Sequence, residues 1–229
     1  MTDGPTKLIV RTDLIESGAV KSVADLKGKR IAAAGGPGSG GEYFVSKALE
    51  SAKLTLRDAQ LLNVGNADMP AAMEGKSVDA VLTSSPYSDQ ILKAGTGKLL
   101  VQDITPGLMT VAFVASGKFL KERPEVAERF VLAMTEAARL MQGADYLSQA
   151  NMDAYLKFTP STAEAIKGGG AIVFDPNMAI PASGLADIER VHRENGRTEY
   201  EKPLDMAKVV DERFVAKAIE TLGKAAPAK

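Results

Sequence analysis

Short apolar runs alternate with helical stretches along the first hundred residues. Leu8-Ile9-Val10 reads as a strand. After a polar stretch from Asp13 to Lys29, Ile31 to Ala34 forms a second compact run, which ends in a glycine loop from Gly35 to Gly41. Phe44, Val45, Ala48, Leu49 and Ala52 then fall on one helical face. Leu61, Leu62 and Val64 predict the next strand, and Ala71 to Met73 a short helix that Gly75 stops. Val78 to Leu82 reads as a strand broken by Ser84-Ser85-Pro86. Gln90 to Lys93 continue a helix stopped by Gly95, and Leu99 to Val101 form another strand. This alternation across residues 30–101 predicts a parallel or mixed sheet covered by helices.

Met109 to Ala115 reads as a longer strand, and from there the pattern changes. Pro124 opens the first turn of a helix whose apolar face is Val126, Phe130, Ala133, Met134, Ala137 and Met141. Shorter helices are expected at 151–158, 161–167, 183–194 and 211–222. The longest strongly apolar run, Leu108 to Ala115, has the length of a buried strand and not of a membrane span. The first six residues, Met-Thr-Asp-Gly-Pro-Thr, show neither the basic nor the apolar region of a secretion leader.

Composition narrows the chemistry. The 229 residues hold 28 Lys and Arg, 29 Asp and Glu, one His and no Cys. Without Cys there is no disulfide, no thiolate nucleophile and no thiolate metal site, and one His makes no His-rich metal cluster. No metal or other cofactor is expected. A net charge of −1 gives no general attraction to nucleic acid or acidic membranes, so neither is an expected partner. Anion binding would have to come from local geometry.

The segment Gly36-Pro37-Gly38-Ser39-Gly40-Gly41 has that geometry, lying between a predicted strand and a predicted helix. Its glycines admit close approach to the backbone, and the first helical N–H groups have no partner inside the helix. With the helix dipole they favour an anion. Three readings stand here: a small-anion site at Gly38, Ser39, Gly40 and Gly41, a purely structural turn, and a dinucleotide loop. Gly36, Gly38 and Gly41 satisfy G-x-G-x-x-G, but no acid closes the strand at Leu62 to Val64 to hold a ribose. No Gly-Lys-Ser/Thr follows, which excludes a P-loop. Ser84, Ser85 and Tyr87 follow a strand end, where α/β sheets present ligand groups. Their spelling also fits a helix cap with Pro86 at the first helical position. Asn63 and Asn66 read as turn residues, and His192 as a cation near a helix end.

Three segments together resemble one family. Val23-Ala24-Asp25-Leu26-Lys27-Gly28-Lys29-Arg30-Ile31 precedes the glycine loop. Ala71-Ala72-Met73-Glu74-Gly75-Lys76-Ser77-Val78-Asp79-Ala80 precedes Ser84-Ser85-Pro86-Tyr87. Phe119-Leu120-Lys121-Glu122-Arg123-Pro124-Glu125-Val126 leads into the long helix. In this order they resemble the nitrate/sulfonate/taurine class of ABC-transporter solute-binding proteins, with the thiamine-precursor binders in the same superfamily. The resemblance implies a type II periplasmic-binding-protein-like fold, two α/β sandwich lobes closing on a ligand about a hinge. Leu8 to Val10 and Met109 to Ala115 would be the crossover strands. Residues 12–109 would form one complete ligand-binding lobe, and 1–11 with 110–229 part of the other, whose opening half the family pattern places before the first crossover.

The resemblance also implies a periplasmic protein that captures a small anion such as a sulfonate, nitrate or carboxylate and delivers it to an ABC permease. No catalytic residue is expected. An incomplete lobe would favour a homodimer. Two other readings stand beside it: an enzyme on the same fold, and a ligand-sensing module without transport. The pyrimidine-synthase branch of such enzymes relies on a cysteine-rich motif that this chain lacks.

Overall fold

Apolar residues on both faces of each strand specify a sheet that must be covered on both sides. The computed structural model describes residues 6–105, 112–168 and 172–226. These fall into two compact units. Of the described residues, the first unit holds those up to 105, Gly168 and 187–203; the second holds the remainder from 112 on.

In the first unit the chain runs β1 (Lys7–Arg11), α1 (Thr12–Glu16), β2 (Arg30–Ala33), α2 (Gly40–Glu50), β3 (Gln60–Asn63), α3 (Met69–Glu74), β4 (Ala80–Thr83), α4 (Tyr87–Ala94) and β5 (Gly97–Gln102). The strands form one sheet in the order β3-β2-β4-β1-β5. β2 pairs in parallel with β3 and β4, whereas β1 runs antiparallel between β4 and β5. Successive side chains point to opposite faces of a strand. Leu8, Val10, Ile31, Ala33, Ala80 and Leu82 therefore pack on one face with Val45, Ala48 and Leu49 of α2. Ile9, Ala32 and Val81 pack on the other with Met69 and Met73 of α3 and Ile91 of α4. The expected mixed sheet is thus present. Hydrogen bonding on both sides draws β1 into the same unit as residues 12–105, so the compact unit begins before residue 12.

Charge fastens this unit at two places. Asp79, just before β4, accepts from the backbone N–H of Arg30 at 2.9 Å and from the guanidinium groups of Arg30 (2.8 Å) and Arg11 (3.1 Å). Burial pushes its carboxyl up, but the hydrogen bonds from Arg30 and the charge of Arg11 outweigh that and hold it below the usual carboxylate range. The second place lies between α2 and the C-terminal half of α9 (Ala182–Glu194). Asp187 accepts from the Tyr43 hydroxyl at 2.8 Å and pairs with Lys47 (3.0 Å) and Arg190 (2.8 Å). Glu50 pairs with the same two cations at 2.8 and 3.1 Å.

The second unit is helical. Its elements are α5 (Gly117–Glu122), α6 (Pro124–Leu140), α7 (Gln149–Phe158), most of α8 (Ala163–Gly168), the start of α9, α10 (Met206–Val209) and α11 (Arg213–Leu222). Here two expectations change. Of the strand expected at Met109 to Ala115, residues 109–111 lie outside the described residues, and 112–115 have no regular structure. The expected apolar face of α6 is also rotated. Phe130 is 45% exposed and Ala133 is exposed, while Ala127, Thr135 and Ala138 are buried, as are Phe214 and Ala218 of α11, the helix that packs on α6. Small side chains let two helices approach closely, and that close packing selects the buried line over the bulkier apolar stripe. Arg139 completes this junction by donating to the carbonyls of Pro176 (2.9 Å), Leu222 (3.0 Å) and Gly223 (2.6 Å). No helix among the described residues is long and apolar enough to cross a membrane.

Two predictions follow from these contacts. A Cβ at Gly97 would lie 2.6 Å from Ile9 Cγ2 and 2.8 Å from Ile91 Cγ2, so Gly97→Ala should destabilise the chain by about 1–3 kcal/mol in denaturant titration. The carboxyl of Asp187 is raised by burial, but Arg190, Tyr43 and Lys47 outweigh this and hold it at about 2 against an ordinary 3.8. A depressed folded-state pKa gives stability that is complete above the unfolded-state value and is lost as pH falls through the folded one. Asp187→Asn should therefore cost about 2 kcal/mol near neutral pH, and its deficit relative to the parent should vanish between about pH 4 and pH 2.

Candidate functional site

The strand order decides where a crevice opens. From β2 the chain crosses to β3 on one side, then returns to place β4 on the other. The loops after β2 and β4 leave in opposite directions, and a crevice forms outside their C-terminal ends. A cavity of about 160 Å³ lies there, lined by Thr6, Ala34, Gly41, Phe44, Asn66, Leu82, Thr83 and Ser84. That is small beside the roughly 300–1,000 Å³ of pockets for drug-sized molecules. Its size suits a small solute or a headgroup better than a dinucleotide.

One wall is the glycine loop and the start of α2. Ser39 caps the helix: its Oγ accepts from the Glu42 N–H at 3.2 Å and donates to the Ala34 carbonyl at 3.3 Å. Gly41 lies against β2, and a Cβ there would collide with the Ala34 carbonyl oxygen, so only glycine lets the helix sit this close to the strand. Asn63, at the end of β3, accepts from the Gly35 N–H at 3.1 Å and braces the loop. The capping serine and the tight turn of the structural reading are both present. The N–H groups of Gly40 and Gly41, first and second residues of the helix, have no intrahelical carbonyl to donate to.

The facing wall is the end of β4. Ser84 lines the cavity, and Thr83 donates its hydroxyl to Asn66 Oδ1 at 3.1 Å. Ser85 points its hydroxyl to Asp89 Oδ2 at 2.7 Å, and Asp89 also meets Lys7 at 3.5 Å. Tyr87 is the half-buried first residue of α4. Pro86 therefore stands at the cap position, one place earlier than the sequence spelling indicates, and no side chain caps this helix. Of the seven residues singled out in the sequence, Gly41 and Ser84 line the cavity. Gly38 and Ser39 belong to the loop beside it and Gly40 to the first turn of α2, while Ser85 and Tyr87 lie at the start of α4. Thr6, Phe44 and Thr83 carry no sequence signal that marks them. Asn66, read as a turn residue, contributes to the lining.

The sequence reading also passes over Glu42, which is only 1% exposed. Its carboxylate accepts from the Gly38 N–H and is held from two directions by Arg197, Nε to Oε2 at 3.1 Å and Nη2 to Oε1 at 2.8 Å. Burial raises its carboxyl, but the Arg197 hydrogen bonds and the Gly38 amide outweigh that and keep it below the usual range. The signal was in the chain: Ser39-Gly40-Gly41-Glu42 spells the S-x-x-E of a capping box. His192 is placed structurally, its ring 6.4 Å from that of Tyr43 and its carbonyl accepting from the Arg197 N–H. Among the described residues no group of three or more His, Asp or Glu is arranged to hold a metal.

Solved structures share this fold. The alkanesulfonate-binding protein SsuA from Xanthomonas axonopodis pv. citri, bound to MOPS, aligns over 95% of this chain and 70% of its own, with 18% identity and a TM-score of 0.61. The periplasmic nitrate-binding protein NrtA from Synechocystis PCC 6803 aligns over 96% of this chain and 66% of its own, with 15% identity and a TM-score of 0.66. The desulfurization enzyme DSZB aligns over 96% and 77%, with 15% identity and a TM-score of 0.60. The chain thus spans about two thirds to three quarters of the length of these three structures. No curated protein matches it in sequence. The architecture is that of the periplasmic binding proteins, and the model of the NMT1-like family matches residues 8–158. The chain belongs to the NMT1-like family.

Proposed function

We propose that this chain is the solute-binding component of an ABC importer, acting in the periplasm and delivering a small anion to a permease. The anion is a sulfonate, nitrate or a small carboxylate. The observation that carries the reading is the convergence, at the crevice between β2 and β4, of the α2 helix start with the Ser84, Thr83 and Asn66 side chains. The Gly41 amide, the Ser84 hydroxyl and the Asn66 side-chain NH2 offer donors to an anion, with Asn66 oriented by the Thr83 hydroxyl that donates to its Oδ1, and among the described residues no acidic side chain lines the cavity. In this reading Gly38 and Ser39 shape the loop, Gly40 and Gly41 supply amides, and Ser84 supplies a hydroxyl. Ser85 and Tyr87 hold the start of α4. Residues 12–109 supply the body of its ligand-binding lobe, with β1 hydrogen-bonded into the same sheet. Homodimerisation belongs to the same reading, supported by the exposed Phe130, Leu140 and Phe158 of the helical unit.

The resemblance to a desulfurization enzyme raises a catalytic reading. A cysteine-to-serine mutant of that enzyme is among the matched structures. This chain contains no cysteine, so a thiolate nucleophile is excluded, and the binding role is the better supported.

Ligand capture is tested by thermal shift with ethanesulfonate, taurine, nitrate and acetate, with glucose as a neutral control. One anion class should raise the melting temperature with dose, since occupancy at a hundred times Kd adds about 2.7 kcal/mol to native stability. No shift with any anion, or an equal shift with glucose, contradicts the reading. Ser39→Asp should retain the fold, because Asp caps a helix as well as Ser does. Its charge should weaken the anion by about tenfold or more.

A further inference from the structure

Glu42 is an odd neighbour for a loop that receives an anion. It sits in the first turn of α2, one residue after the cavity-lining Gly41, and its carboxylate is almost wholly buried. Left alone, that charge would oppose any anion placed at the helix start. It would also be costly to bury without a partner. The structure supplies the partner from far along the chain: Arg197 grips both carboxylate oxygens, and its Cβ lies 3.9 Å from where a side chain on Gly38 would begin. The carboxylate is thereby fixed on the Gly38 amide, in the middle of the loop, and the pair is neutral as a whole. The Arg197 side chain remains 35% exposed, whereas that of Glu42 is 1% exposed, so the guanidinium covers the acid from the solvent side.

We infer that Arg197 is a positioning residue for anion capture: by pairing with Glu42 it cancels and fixes the one acidic charge built into the glycine loop, leaving the Gly40 and Gly41 amides to a ligand. The inference rests on the anion-binding reading of the cavity. It goes further by assigning control of affinity to a residue 155 positions away in the chain from the acid it neutralises. A pair that served only to staple the segment after α9 to α2 would leave anion affinity unchanged whenever the fold survived.

The test is calorimetric titration of ethanesulfonate into the parent and three variants, with circular dichroism to confirm the fold. Arg197→Gln should raise Kd by about tenfold near neutral pH, the effect of one uncompensated charge within about 12 Å of an anion at an effective dielectric of about 20. Lowering the pH should recover part of that loss, because without Arg197 the burial of Glu42 favours its protonated form. The charged and titratable groups that face Glu42 are Arg197 and, at longer range, His192. Because His192 is present in every variant, the double variant Glu42→Gln/Arg197→Gln isolates the acid. It should bind within about threefold of the parent with no comparable pH recovery. Arg197→Lys, which keeps the charge, should also stay near the parent.

Arg197→Gln binding as tightly as the parent overturns the inference. So does a double variant that stays as weak as Arg197→Gln, since the loss would then be structural. A parent that binds ethanesulfonate alongside either result leaves the anion-capture reading standing, whereas a parent that binds none of the anions overturns both.

Discussion

Parallel pairing of β2 with β3 on one side and β4 on the other is the constraint on which the site depends. Once β2 is flanked this way, the chain must leave its end toward one neighbour and return from the far side to the other. Two loops diverge, and neither can cover the gap. The glycine loop fills one wall because α2 must turn back immediately over Ala33 and Ala34 to bury Val45, Ala48 and Leu49. The opposite end of the same strands is closed by charge, with Asp79 tying Arg30 and Arg11 together. One end of the sheet is thus pinned, and the crevice opens at the other.

Most of this sheet was legible in the chain. The apolar runs at 8–10, 31–34, 61–64 and 78–82 are short and bounded by glycine or polar turns. Each became a strand because both faces found helices to cover them. The helical half was less legible. In α6 the sequence offers two candidate faces, and periodicity favours the bulkier one through Phe130. The small line through Ala127, Thr135 and Ala138 is buried instead because α11 packs there, a tertiary choice that no local pattern records.

The site was half legible for a related reason. Glycine spacing and the serine after a strand announce where a backbone approaches a ligand, and Gly41 and Ser84 do meet at the cavity. Thr83 and Asn66 meet only because β4 and the loop after β3 converge on either side of β2. Arg197 and Glu42 are more distant still. The acid was spelled by a capping pattern, but its partner lies 155 positions away, in the 187–203 segment that returns to the first unit. Charge neutrality at the start of α2 is therefore a property of the folded chain and not of the local sequence.

The most direct measurement of this account is the map of backbone amide shifts during titration with ethanesulfonate. Saturable displacements centred on Gly40, Gly41, Asn66, Thr83 and Ser84 are the predicted result. Displacements centred instead on the Asp79, Arg30 and Arg11 end of the sheet, or on the helical unit alone, would contradict the claim that the crevice between β2 and β4 receives the ligand.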